Sequence, residues 1–253
     1  MRAWYYQQFD ADFSREVPAE GYGGWKQADL PIRKESTALV VMHAWDTGTR
    51  EQFPGWHRAV EYIPRADKIL QEVFPALLAA VREAGWSIFH VVGGGNYYQH
   101  LNAYRAGAPP EVVRVRPDPE LLLFRSQNVF VGEHNAADVR AGFARLDFPP
   151  QARPLDTEGI AQNGEQLFAL ASGAGISHLV YVGFALNWCL LLSPGGMAEL
   201  SQRGFLCSTI REATTAVESA ESARNEQAKA LALWRVALAF GFVFELADFL
   251  EGL

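Results

Sequence analysis

The chain has 253 residues, of which 49% are hydrophobic and 12% aromatic, which is enough to bury one large core. A formal charge of −7, with no Lys/Arg-rich run, makes a nucleic-acid backbone or an anionic membrane an unfavourable partner. The N-terminus lacks the order of a signal peptide, no apolar run reaches the roughly 18 residues that cross a bilayer, and only two cysteines occur. We therefore expect a soluble cytoplasmic protein without a disulfide framework.

The first half of the chain predicts two buried strands separated by a helix. Residues 1–36 contain many turn formers and are interpreted as an irregular N-terminal extension. The β-branched apolar run STALVVMHAW (residues 36–45) is typical of a strand buried on both faces. Apolar residues then recur at helical spacing between Pro64 and Gly85, and Pro75 should interrupt that helix. WSIFHVVGGG (residues 86–95) predicts a second strand that runs into a glycine loop.

The second half predicts further strands that alternate with helices. Residues 107–120 are expected to form a loop, and 135–148 and 163–175 to form helices. Strands are predicted at 177–183, 204–210 and 241–246, with a helical stretch after the first, a long helix within 217–240 and a short terminal helix. Strands separated by helices of ten or more residues indicate an α/β fold with a mainly parallel, doubly wound sheet.

The site is expected beyond the carboxyl ends of the strands, where ligands of such sheets bind. This rule selects residues 43–46, 93–100, 183–189 and 211–214. Cys189 follows Gly183 by six residues, where a helix would begin. Unpaired backbone N–H groups and the helix dipole would lower the pKa of a thiol there and could hold an oxyanion. The alternative is that Cys189 is a buried apolar side chain, as free cysteines often are.

The segment around Cys189 resembles a known family. In ISHLVYVGFALNWCLLLSPGGMAELSQRGFLCSTIREATTAVES (residues 176–219), a strand leads through Gly-x-Ala-x-Asn-x-Cys into a helix, a Gly-aromatic pair and a further strand. This order is similar to the nucleophile region of the isochorismatase-like cysteine hydrolases, which include nicotinamidases and N-carbamoylsarcosine amidase. The order of elements agrees from about residue 37, so residues 37–253 would form the hydrolase domain.

The resemblance implies a three-layer α/β/α sandwich that forms a homo-oligomer, a dimer or a tetramer, and works without a cofactor. It implies amidohydrolase chemistry, in which Cys189 attacks an amide or related C–N bond of a small molecule and forms a thioester. It also implies a cis peptide near Phe184 and Ala185, which would aim an N–H at the oxyanion. The catalytic set of the family is Asp–Lys–Cys.

Two positions of that set depart from the family pattern. His43 stands where the resemblance places the aspartate, and the nearest carboxylate is Asp46. The lysine position falls on or near Asp156, with Glu158 alongside, and none of the four lysines can fill it. One hypothesis is that His43 takes the thiol proton while Asp156 or Glu158 orients His43. The other is a catalytically silent relative that serves as a ligand-binding or oligomeric scaffold protein.

Three further residues are candidates for the pocket walls. Trp45 and Trp188 flank the expected site in sequence, and Asn96 lies in the glycine loop, where it would face a ligand or a neighbouring subunit. Core or interface packing is the alternative for all three. The histidines show no metal-ligand spacing and the glycines at 93–95 lack a phosphate-binding order, so we expect neither a metal nor a nucleotide.

Overall fold

The computed structural model describes residues 1–105 and 117–253. Within them, the strands are β1 (Arg2–Gln7), β2 (Gly24–Asp29), β3 (Thr37–Met42), β4 (Ser87–Val91), β5 (Gly159–Ala161), β6 (His178–Gly183), β7 (Leu206–Thr214) and β8 (Val243–Phe244). They form one sheet in the order β2-β1-β8-β7-β6-β3-β4-β5. The strands from β8 to β5 are parallel, and β1 and β2 add an antiparallel hairpin at one edge. The predicted α/β class with a mainly parallel sheet is confirmed.

Helices cover both faces of the sheet. They are α1 (Pro54–Ala59), α2 (Ile63–Glu72), α3 (Phe74–Glu83), α4 (Pro119–Asn128), α5 (Ala136–Phe143), α6 (Gly164–Gly173), α7 (Met197–Gln202), α8 (Gln227–Ala239) and α9 (Leu246–Glu251). Apolar side chains of α2, α3 and α9 share one buried cluster with one face of the sheet, and those of α6, α7 and α8 share another with the opposite face. The molecule is therefore the three-layer α/β/α sandwich that the resemblance implied. None of the helices in the described ranges is both long and apolar enough to span a membrane.

Proline positions explain where the predicted helix between residues 64 and 85 is broken. It is two helices, α2 and α3, which meet at Val73. Pro75 lies in the first turn of α3, where its missing N–H costs nothing, because the first N–H groups of a helix have no partner within it. The interruption predicted from Pro75 is thus confirmed.

The N-terminal residues differ from the sequence-based expectation. Residues 1–36 are not irregular, because β1 and β2 pair over six positions and β1 joins β8 through Trp4 and Val243. Three other elements, α1, α4 and β5, were not predicted. Most of the loop expected at 107–120 lies outside the described residues, and its last two residues begin α4.

Candidate active site

The carboxyl ends of β3 and β6 meet where the strand order reverses. From β3 the chain adds β4 and β5 on one side and later adds β6, β7 and β8 on the other. Met42 at the end of β3 pairs with Gly183 at the end of β6, and the Phe184 N–H donates to the Met42 carbonyl oxygen at 3.2 Å. His43 and Phe184 therefore leave the sheet side by side. Open α/β sheets bind ligands at such a switch point.

Gly183 is required for this close approach of the two strands. Its φ is +121°, a region that residues with a side chain avoid. A Cβ at this position would lie 1.9 Å from the Met42 carbonyl oxygen, far inside van der Waals contact. The glycine thus allows the chain to turn from β6 into the segment that carries Cys189.

Cys189 lies on a π-helical turn, Leu186–Leu190, directly beyond β6. Its side chain is half-buried against the apolar cluster on the α8 side of the sheet. Burial raises the pKa of the Cys189 thiol, while the Ser193 hydroxyl and the Ala185 backbone N–H act in the opposite direction and favour the thiolate. The lowered pKa expected for a thiol at a helix start is therefore wrong for the free protein, because desolvation outweighs the nearby donors.

His43 is held in an unusual backbone conformation at the end of β3. Its φ is +52°, and its ring stacks on Trp45 with centroids 4.6 Å apart. Nδ1 is buried without a hydrogen-bond partner, and Nε2 lies so close to Gly93 that a Cβ there would approach it to 2.7 Å. Burial lowers the pKa of His43 to about 4, so the ring is neutral at pH 7 and can accept a proton.

The two pKa shifts oppose transfer of the thiol proton to His43. Burial raises the pKa of Cys189 and lowers the pKa of His43 to about 4. Both shifts favour the neutral thiol and the neutral imidazole over the thiolate–imidazolium pair in the free protein.

Glu158 and Asp156 lie at the other end of the sheet from His43. Gly159 pairs with Phe89, so Glu158 is level with Ile88 near the start of β4. His43 follows Met42, which pairs with Val91, so about four residues, or about 13 Å along the strands, separate the two levels.

The carboxylates of Glu158 and Asp156 form their hydrogen bonds with groups other than His43. Glu158 accepts from Arg82 Nε and from the Nε2–H of His90, both at 2.7 Å, and Asp156 accepts from Asn102 at 3.1 Å. The hypothesis that one of them orients His43 therefore receives no support from the hydrogen bonds of either carboxylate.

Gln162 occupies the position at the carboxyl end of β5. Its side-chain oxygen accepts hydrogen bonds from the hydroxyls of Tyr98 at 2.9 Å and Tyr104 at 3.0 Å. The amide is thus fixed at the edge of the sheet to which His43 and Cys189 belong. The sequence does not reveal this residue, because β5 has only three residues and carries a weak strand signal.

The proposed wall residues do not form one pocket wall. Trp45 donates through Nε1 to the Tyr97 hydroxyl at 2.9 Å, whereas Trp188 is 54% exposed and lies beside Phe130, with ring centroids 6.3 Å apart. Asp46 is exposed, and its carboxylate accepts from the Gly48 N–H at 2.9 Å. Asn96 is exposed on the glycine loop.

Two cavities lie near some of these residues. One of about 640 Å³ is lined by Trp45, Asp46, His57 and Asp67 among others, and one of about 720 Å³ lies around Asp156 and Glu158. Neither is lined by Cys189. Across residues 1–105 and 117–253, no group of three His, Cys, Asp or Glu side chains could hold a metal ion.

The fold matches solved structures at low sequence identity. A cysteine hydrolase from Pseudomonas syringae pv. phaseolicola 1448A aligns with 88% of this chain and 94% of its own, with a TM-score of 0.52 and 12% identity. The chain therefore shares the three-layer α/β/α fold of this cysteine hydrolase. No protein-family model and no curated protein matches the sequence.

Two further solved structures align with most of the chain at lower TM-scores. An isochorismatase-like hydrolase from Alkaliphilus metalliredigens aligns with 87% of this chain and 99% of its own, with a TM-score of 0.48 and 14% identity. An N-carbamoylsarcosine amidase from Thermoplasma acidophilum aligns with 83% and 96%, with a TM-score of 0.44 and 14% identity. The peptide bond between Phe184 and Ala185 is cis, as the resemblance to the isochorismatase-like proteins implied.

Proposed function

We propose that this protein is a cysteine hydrolase of the isochorismatase-like superfamily that cleaves an amide or related C–N bond of a small molecule. The observation that carries the proposal is the position of Cys189. It is half-buried on the turn beyond β6, at the switch point of the sheet, with the Ala185 N–H and the Ser193 hydroxyl favouring its thiolate. The fold shared with a cysteine hydrolase is consistent with this role.

The proposed reaction has two stages, acylation of Cys189 and hydrolysis of the resulting thioester. The Cys189 sulfur attacks the substrate carbonyl carbon as its proton passes to neutral His43, which gives a tetrahedral intermediate whose oxyanion faces backbone N–H groups near Ala185. The C–N bond then breaks, and His43 returns the proton to the departing amine, leaving a thioester. Water hydrolyses the thioester, which releases the acid and restores the thiol.

The proposal is tested with a panel of small amides and ureido compounds, in which amine or ammonia release is measured. The wild type and the matched control Cys207→Ser should turn over the same compound, whereas Cys189→Ser should be at least about 100-fold slower. Because His43 must be neutral to accept the proton, the acid limb of kcat/KM should have its midpoint near pH 4 and not near pH 6.5. Turnover that survives in Cys189→Ser would refute the role of Cys189.

A second candidate is a catalytically silent protein that binds a ligand or acts as an oligomeric scaffold. The raised pKa of Cys189 and the low pKa of His43 favour this candidate, because both oppose formation of the thiolate. Ligand-induced stabilisation without turnover of any compound in the panel, in wild type and Cys189→Ser alike, would distinguish it from the hydrolase.

A further inference from the structure

The cavity of about 640 Å³ lies between α2, the loop at residues 45–53 and the segment at residues 142–151. Its lining residues all fall within 45–71 and 142–151, and neither His43 nor Cys189 is among them. Trp45 forms part of its wall, and the same ring stacks on His43. The cavity therefore adjoins the proposed reaction site without containing it. We call this cavity the α2 cleft.

Hydrogen bonds hold the walls of the α2 cleft together. The Asp46 N–H donates to the Asp147 carbonyl oxygen at 2.8 Å, which joins the loop to the segment opposite. Within the loop, the Thr49 N–H donates to the Gln52 side-chain oxygen at 2.9 Å, and the Phe53 N–H donates to the Thr49 carbonyl oxygen at 3.0 Å. Small-molecule sites are usually formed before the ligand binds, and the α2 cleft meets that condition.

The α2 cleft is lined by charged side chains of both signs. Asp46 and Asp67 supply two carboxylates, and Arg50 and Arg145 supply two guanidinium groups. In residues 1–105 and 117–253, none of these four side chains forms an ion pair within 4.0 Å. A cleft of this composition is suited to a ligand that itself carries both charges.

Asp67 and His57 are the polar groups of the α2 cleft that a ligand would stabilise most. Both are half-buried. Burial raises the pKa of the Asp67 carboxyl, and neighbouring His57 acts in the opposite direction. Nε2 of His57 is buried and has no hydrogen-bond partner in the part of the chain that the structure describes. An ammonium group placed here would recover part of the free energy that burial of these groups costs.

We propose that the α2 cleft binds a small zwitterion, a molecule with an ammonium group and a carboxylate on an apolar or aromatic body, such as an amino acid or a dipeptide. The ammonium group donates to Asp67, and the carboxylate pairs with Arg50 and Arg145, both of which are exposed at the rim. The rings of Trp45 and Phe53 pack against the body of the ligand. A volume of about 640 Å³ lies within the range of small-molecule sites, about 300–1,000 Å³.

A ligand with charges of a single sign fits the α2 cleft less well. A phosphate or a dicarboxylate would lie beside Asp46 and Asp67, and an organic dication beside Arg50 and Arg145. A metal ion is disfavoured as well, because the described residues contain no group of three His, Cys, Asp or Glu side chains that could hold one. The charges therefore favour a molecule that carries one group of each sign.

Isothermal titration calorimetry on the full chain at pH 7 tests the proposal. The probes are L-phenylalanine, L-tryptophan and the dipeptide L-phenylalanyl-L-leucine, and we expect at least one of them to bind with a Kd below about 1 mM. The N-acetyl and C-terminal amide derivatives of that probe lack the ammonium group and the carboxylate, respectively. Each derivative should bind at least about tenfold more weakly, and this comparison needs no variant.

Substitutions in the α2 cleft locate the bound probe. Asp67→Asn and Arg145→Gln should each raise the Kd at least about tenfold with an unchanged Tm. The matched controls are Asp29→Asn, which changes an exposed carboxylate on β2, and Arg235→Gln on α8. The guanidinium of Arg235, like that of Arg145, lies over an aromatic ring. Both controls should leave the Kd unchanged.

The outcome for the α2 cleft is independent of the outcome for the proposed hydrolase. Cys189→Ser, which removes the proposed nucleophile, should bind the probe with the wild-type Kd. The proposal would be overturned by absence of binding of every probe at about 5 mM, by equal binding of a derivative that lacks one charge, or by wild-type affinity in Asp67→Asn or Arg145→Gln. Loss of binding in Cys189→Ser would assign the probe to the reaction site instead.

Discussion

At the scale of single residues, a buried ionic group joins β4 to the start of β5. Glu158 accepts hydrogen bonds from Arg82 on α3, from His90 on β4 and from the Leu155 N–H. Burial alone would raise the pKa of Glu158, but the His90 and Arg82 hydrogen bonds outweigh it and lower the pKa to about 2. His90 is fully buried, and desolvation lowers its pKa, so it donates as a neutral ring. The carboxylate thus stabilises the fold and lies apart from the proposed chemistry.

Glu158→Gln should destabilise the protein at neutral pH. A carboxylate with a pKa of about 2 in the folded state and about 4.3 in the unfolded state contributes roughly 3 kcal/mol above pH 4.3. That contribution is lost as the pH falls from about 4.3 through 2, so wild type and variant should converge in acid. Urea unfolding at several pH values measures the difference.

The matched control for this prediction is Glu165→Gln. Glu165 also pairs with an arginine, Arg203, but on the surface of the molecule, where ion pairs contribute little. Its removal should change the free energy of unfolding far less. Equal losses in the two variants, or a loss for Glu158→Gln that does not depend on pH, would contradict this account of Glu158.

At the scale of elements, the end of β6 controls the position of the cysteine turn. Gly183→Ala would place a Cβ against the Met42 carbonyl oxygen in a backbone region unsuited to alanine. We expect a loss of about 3 kcal/mol or more in the free energy of unfolding, because strain at positive φ adds to the overlap. The variant should also lose any turnover by Cys189, since the two strand ends must separate.

Gly173→Ala is the matched control for the change at Gly183. Gly173 ends α6, and a Cβ there meets nothing within 4 Å. Alanine should therefore be neutral or stabilise by a few tenths to 1 kcal/mol. Chemical denaturation of both variants measures this difference, and a Gly183→Ala variant as stable as wild type would show that the close approach of β3 and β6 is not needed.

Two elements that the sequence does not reveal, β5 and α4, lack the local apolar pattern of the predicted strands and helices. Strands β3, β4 and β6 are continuous apolar runs because both of their faces are buried, and such runs are visible in the sequence. Strand β5 has three residues and exists through its pairing with β4, which a local pattern does not encode. Helix α4 has no apolar stripe, and none of its residues is buried against the described part of the chain.

At the scale of the whole molecule, topology explains which site residues could be predicted. The doubly wound pattern places His43 and Cys189 at the carboxyl ends of β3 and β6, and these strands are neighbours at the switch point. The same pattern does not locate the start of β5 within the irregular segment before it. The sequence-based assignment placed Asp156 and Glu158 at the catalytic edge, but the chain reaches that edge only at Gln162, four residues beyond Glu158 and six beyond Asp156.

The N-terminal hairpin completes the molecule at the opposite edge of the sheet. Strand β1 pairs with β8 and β2, and the N-terminal Met1, Leu30 and Ile32 pack against the core beside α9. These residues therefore cover an edge that would otherwise expose unpaired backbone groups. The sequence signal was weak because both strands are only half-buried and mix polar with aromatic residues.

The rate of alkylation of the two cysteines by iodoacetamide tests the central claim, that Cys189 is the reachable nucleophile of this fold. Cys207 is fully buried, and desolvation raises its pKa to about 12, whereas Cys189 is half-buried on the turn beyond β6. Peptide mass spectrometry of the native protein at pH 8 should show Cys189 modified at least about tenfold faster than Cys207, at a rate that climbs further above pH 9. Equal and slow modification of both sulfurs would contradict the claim.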